Sequence, residues 1–145
     1  AENVFDDGYE FDLGKADLLR DGSDVTLIAS GVCVANALQA AETLAQEGVS
    51  ARVLNIHTIK PIDADAVIKA ASETGALVTA ENHNVIGGLG SAVAEVLAEQ
   101  RPTPLERVGV KDHFGQVGKA PYLMGVFGIT AADIAKAARK AIARK

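Results

Sequence analysis

The chain has 145 residues, 48% of them hydrophobic, and a formal net charge of -5. That length suits one domain burying about two-thirds of its unfolded surface, and no apolar run approaches the roughly 18 residues a membrane span needs. The acidic balance argues against nucleic acid as the main partner. No basic and then apolar opening marks a signal peptide, and the single cysteine, Cys33, excludes an internal disulfide and fits a reducing, cytoplasmic setting.

The first eleven residues show neither helical nor strand period, so residues 1–13 are expected to be a linker from an upstream domain and residues 14–145 the domain itself. Ala16–Leu19 reads as a short strand, and the turn residues 20–24 follow. Val25–Ala29 is a continuous apolar run, as expected of a strand buried on both faces. Val32–Glu47 has helical spacing and is closed by Gly48. Ala51–Ile56 is the next strand, and Asp63 is the expected cap of a helix reaching Thr74 and stopped by Gly75. Ala76–Ala80 is a strand, residues 87–90 form a glycine-rich turn, and a helix continues to Gln100. After Pro102 and Pro104, Leu105–Val110 is the last strand. Residues 111–129, rich in glycine and containing Pro121, read as a long loop. Thr130 with Asp133 then opens a final helix, Ala131–Ala143.

Strands alternating with helices predict βαβ units. The expected fold is α/β, a three-layer α/β/α sandwich on a mostly parallel sheet of five strands. Nothing aromatic lies between positions 12 and 113, so the core must be aliphatic. The aromatics gather in two irregular stretches, Phe5, Tyr9 and Phe11, then Phe114, Tyr122 and Phe127, which either anchor a contact outside the domain or pack locally on it. Acidic residues crowd the start and Lys or Arg the last ten positions. This polarity reads either as docking charge or as a solvated tail plus a helix complementing its own dipole.

In open parallel sheets, functional groups gather beyond the carboxyl ends of the strands. His57, His83, His113, Cys33, Glu81 and Asp112 all fall near such ends, but no pair has the short spacing of a zinc motif. Glu81 and His83 are the candidates for acid/base work, set against plain polar loop structure. The loop Gly87, Gly88, Gly90 and Ser91 is neither a P-loop nor a complete dinucleotide fingerprint, since Val93 stands where the third small residue belongs. It either offers helix-start amides to an anion or lets a neighbouring backbone approach closely. Neither a nucleophile–base set nor a metal–diphosphate motif is visible, so no catalytic, cofactor or metal residue is assigned.

Glu81-Asn82-His83 and Ile86-Gly87-Gly88-Leu89-Gly90-Ser91-Ala92 resemble the carboxyl-terminal domain of the transketolase family. So do Phe11–Ala16, Val25–Gly31, Leu54–Asp63 and Leu105–Asp112, in the same order, and the resemblance runs from about Tyr9 to the end. It is nearest to transketolases encoded as two subunits, with related domains in 1-deoxyxylulose-5-phosphate synthase and the β subunit of 2-oxoacid dehydrogenases. The resemblance implies a first strand antiparallel to the rest. It implies a parent enzyme moving a two-carbon ketol unit between sugar phosphates with thiamine diphosphate and Mg, held by pyrophosphate- and pyrimidine-binding domains that this chain would support within a homo-oligomer. The chain alone is expected to bind no cofactor and to be inactive, and its lack of an initiating methionine fits a fragment or processed subunit. One departure is Phe114-Gly115-Gln116-Val117-Gly118, where the family commonly has Phe-Gly-Glu-Ser-Gly. The competing readings are a free-standing module that binds a small anion at the Gly87–Gly90 helix start, and the equivalent domain of 1-deoxyxylulose-5-phosphate synthase or a 2-oxoacid dehydrogenase.

Overall fold

The computed structural model describes residues 3–145; Ala1 and Glu2, the first two positions of the expected linker, lie outside the described residues. Five strands and five helices follow in the order β1 (Asp17–Arg20), β2 (Val25–Ala29), α1 (Cys33–Gln46), β3 (Ala51–Asn55), α2 (Ala64–Thr74), β4 (Leu77–Asn84), α3 (Leu89–Gln100), β5 (Leu105–Val110), α4 (Ala120–Phe127) and α5 (Ala131–Ile142). The sheet order is β1-β3-β2-β4-β5. Only β1 runs antiparallel to its neighbour.

The period of two along each strand divides the core between the sheet's faces. Val25, Leu27 and Ala29 of β2, with Val78 and Ala80 of β4, meet α1 and α5 in one aliphatic cluster. Ile28 and Leu77 turn the other way, onto Val67 and Ala71 of α2 and Leu89 and Val93 of α3. Alanine on α1 and α5, such as Ala37, Ala41, Ala138 and Ala141, lets those two helices approach each other and the sheet closely. An aliphatic core without aromatics is thus feasible because the helices carry small residues where they touch.

Helix ends follow their local chemistry. Asp63 Oδ1 accepts the Ala66 amide at 3.1 Å, and Gly75 closes α2 at φ 68°. Thr130 and Asp133 form a reciprocal capping box on α5.

Two expectations need correction. Residues 111–129 are not all loop, because 120–127 form α4. Pro121 and Gly128 read as breakers, yet proline is tolerated in a first turn, where no amide is required, and Gly128 ends the helix at φ 65°. Strand β4 does not stop at Ala80 but runs to Asn84, with pairing to β5 resuming at Asn84 and Val110 beyond a register shift. Its polar tail stays in the sheet because the buried member, Glu81, finds partners.

Candidate functional site

Glu81, 2% exposed, follows Leu77 and Thr79 on the face of β4 turned toward α3. Its Oε2 accepts the Leu89 amide at 2.7 Å and its Oε1 the Gly90 amide at 2.8 Å. The first amides of α3 therefore hold an internal carboxylate. This is the arrangement a helix amino terminus offers any anion, since unpaired N–H groups and the helix dipole converge there. Two hydrogen bonds to a charged acceptor stabilise by about 1.5–3 kcal/mol each and offset the cost of burying it.

Glycine is required around this carboxylate for reasons of space. A Cβ on Gly88 would overlap Glu81 Oε2, and one on Gly109 would lie 3.2 Å from Glu81 Cγ and 2.9 Å from the His83 carbonyl oxygen. A Cβ on Gly90 would meet Thr79 Oγ1 and Arg107 Cδ, each at 2.9 Å. Gly87 instead supplies the turn, at φ 81°. Its amide donates to Ser91 Oγ at 2.9 Å, and that hydroxyl donates to the Val85 carbonyl at 3.1 Å. Arg107 Nη1 donates to the same carbonyl at 2.9 Å.

The sequence-predicted residues Glu81, Gly87, Gly88, Gly90 and Ser91 are thus gathered into one joint between β4 and α3. His83 stands at its rim with an exposed side chain, Nδ1 lying 2.8 Å from the Asn84 carbonyl oxygen and 3.9 Å from Glu81 Oε2. Gly109, Arg107 and Thr79 complete the joint and were not anticipated; a glycine inside a strand was the signal available for Gly109. Among the described residues no group of three His, Cys, Asp or Glu side chains is placed to hold a metal ion. Cys33 is buried at the start of α1, and burial together with the nearby Glu81 charge pushes its thiol up to about 11.

Beyond the strands' carboxyl ends the chain exposes large apolar side chains. Phe114 and Val117 are fully exposed, Ile86, Tyr122 and Phe11 are about as exposed as each other at 62%, 60% and 60%, and Val126 is at 48%. No residue of α4 is buried. The helix is held by Asn36 at the start of α1, whose Nδ2 donates to the Ile129 carbonyl at 2.9 Å, and by Met124 packing on the core.

Comparison with known proteins adds a lineage. The chain matches the family model described as transketolase, C-terminal domain, over residues 14–134. It is similar to the 6-deoxy-6-sulfo-D-fructose transketolase subunit SqwH of Clostridium sp. (strain MSTE9), 56% identical over 145 residues that make up all of this chain and 45% of that protein. The 1-deoxy-D-xylulose-5-phosphate synthase 1 of Geobacter sulfurreducens is 41% identical over 138 residues, 94% of this chain and 22% of that protein. A solved structure described as a split gene transketolase, inactive beta4 tetramer, superposes with a TM-score of 0.92 at 46% identity, covering 98% of this chain and 46% of that one. The chain spans less than half the length of each of these relatives.

Proposed function

This chain belongs to the transketolase family as its C-terminal domain, and from that premise we propose that it is the structural, assembly-forming domain of a thiamine-diphosphate-dependent transketolase. The parent enzyme transfers a two-carbon ketol unit between sugar phosphates, in the cytoplasm, and residues 1–13 link residues 14–145 to the domains before them. The partners are the pyrophosphate- and pyrimidine-binding domains and further copies of the same subunit. Self-association is supported by the relative described as a beta4 tetramer.

The observation that carries this reading is the Glu81 joint. The glycine-rich start of α3 spends its Leu89 and Gly90 amides on the chain's own carboxylate, which closes those two donors to a diphosphate. The same reading is supported by the described residues bringing together no group of three His, Cys, Asp or Glu side chains that could hold a metal ion. Glu81, Gly87, Gly88, Gly90 and Ser91 instead fix the strand-to-helix turn, His83 is exposed, and Ile86, Phe114 and Tyr122 leave apolar surface in solvent. Of the two roles open to this loop, interface rather than anion site is the one this arrangement favours.

A calorimetric titration of the 145-residue chain with thiamine diphosphate and magnesium tests the proposal. No saturable heat is expected; saturation at one site per chain or per dimer would overturn it.

A further inference from the structure

The stretch ahead of β1 has no regular structure of its own, yet polar contacts tie it to the domain at several points. The Gly14 amide donates to Thr58 Oγ1 at 3.2 Å, and the Ala16 amide donates to Asp63 Oδ2 at 2.9 Å. The Tyr9 hydroxyl donates to Asp17 Oδ2 at 2.9 Å, and Asn55 Nδ2 donates to that same oxygen at 2.8 Å. Phe11 lies over the His57 ring with centroids 4.4 Å apart. Three of the residues in these contacts, Thr58, Asp17 and Phe11, border the imidazole that follows β3.

His57 is incompletely satisfied in this setting. Its Nδ1 is 2.8 Å from Thr58 Oγ1. Its Nε2 is buried without a hydrogen-bond partner, 4.0 Å from Asp17 Oδ2. A neutral imidazole has one N–H, so it either presents a lone pair to the carboxylate or gives up donation to Thr58. A second proton makes both nitrogens donors and sets a cation against Asp17. The neighbouring elements offer little else to answer that charge. Strand β3 presents neutral Asn55, and the cap residue Asp63 is engaged by the Ala16 and Ala66 amides. Tyr9 remains a neutral donor, its phenol raised by burial and then by its bond to Asp17. Among the described residues Asp17 is the one acid within 4.0 Å of the ring.

We propose that His57 and Asp17 form a proton-operated latch that fastens residues 9–16 to the domain. The latch is tight when His57 is charged and looser when it is neutral. The direction follows from the geometry: protonation sets a cation 4.0 Å from Asp17 Oδ2, leaves the bonds from Tyr9 and Asn55 to that oxygen in place, and makes Nδ1 the donor to Thr58 Oγ1 whichever neutral tautomer it started from. The same proton therefore strengthens the hold on Tyr9 and Phe11 together, and the segment is held less firmly as pH rises.

The test is amide hydrogen exchange in the full chain, corrected for intrinsic rates, alongside NMR titration of the His57 ring over about pH 5 to 8. Protection at Gly14 and Ala16 is expected to be about five-fold higher on the acid side, as suits one partly exposed ion pair. It should follow the His57 titration curve. His57→Gln and Asp17→Asn should each keep the cooperative thermal unfolding of the chain while flattening this pH dependence. Protection that stays constant while His57 titrates, or that still follows pH in Asp17→Asn, would overturn the latch.

Discussion

At the amino end of the sheet charged side chains answer one another, whereas the carboxyl end leaves apolar ones in solvent. Arg52 lies between Asp21 and Glu73, Arg139 on Glu47, and Lys140 and Arg144 both on Glu106. At the other end Ile86, Phe114, Val117 and Tyr122 are exposed, while the buried charge, Glu81, is satisfied from within. Among the described residues every exposed large apolar side chain except Leu18 of β1 sits at or beyond the carboxyl end. The contrast separates a finished surface from an unfinished one. Charges paired in water need no cover, but apolar area gathered on one side marks a contact site.

Five substitutions at four positions would break or sharpen this contrast. The largest effect is expected at the carboxyl end. Glu81→Ala leaves two buried amides unpaired and should cost about 3 kcal/mol in urea unfolding. Glu81→Gln, which keeps one acceptor, should cost less, and His83→Ala should scarcely register because that side chain is exposed. Equal losses at positions 81 and 83 would remove the distinction between the joint and its rim.

A smaller effect is expected at the amino end. Burial raises the Glu106 carboxyl, but hydrogen bonds and attraction from Lys140 and Arg144 outweigh it and leave the group below its ordinary 4.5. A lowered folded-state value means stability that is present above the ordinary carboxylate range and lost as pH falls through the folded value. Glu106→Gln should therefore cost under about 1 kcal/mol at neutral pH. The gap from the parent chain should close in acid. A gap unchanged on acidification would show that the pair contributes shape and not charge.

The smallest effect lies within the sheet. Thr79 Oγ1 is buried and lacks a partner. Thr79→Val removes that unmet polar atom at nearly constant shape and should be neutral or stabilising by up to about 1 kcal/mol. A clear loss in thermal unfolding would mean that the hydroxyl serves the Glu81 joint after all.

Much of the architecture was legible because its signals are local. The apolar run Val25–Ala29 announces a strand covered on both faces, and Asp63 and the Thr130–Asp133 pair mark helix starts through side chains within three residues of their targets. Helix α4 escaped notice because Pro121 and Gly128 look alike as breakers in a string, and only position in the helix tells cap from interruption. At the joint, Glu81 and the glycines could be named from sequence, but their relation could not. The hydrogen bonds from Leu89 and Gly90 span eight and nine residues, and Gly109 arrives from another strand. The hold on residues 9–16 was hidden for a similar reason, since Asp17, to which Tyr9 donates, meets Asn55 and His57 only when β1 pairs antiparallel with β3.

A carboxylate fixed by the chain itself at the start of α3 has a metabolic consequence. Topologies of this kind often hold a nucleotide or a phosphorylated substrate at such a turn. Here the position is taken by a ligand that is covalently part of the protein and whose local concentration never varies. The shape of the turn therefore does not depend on capturing a phosphorylated metabolite.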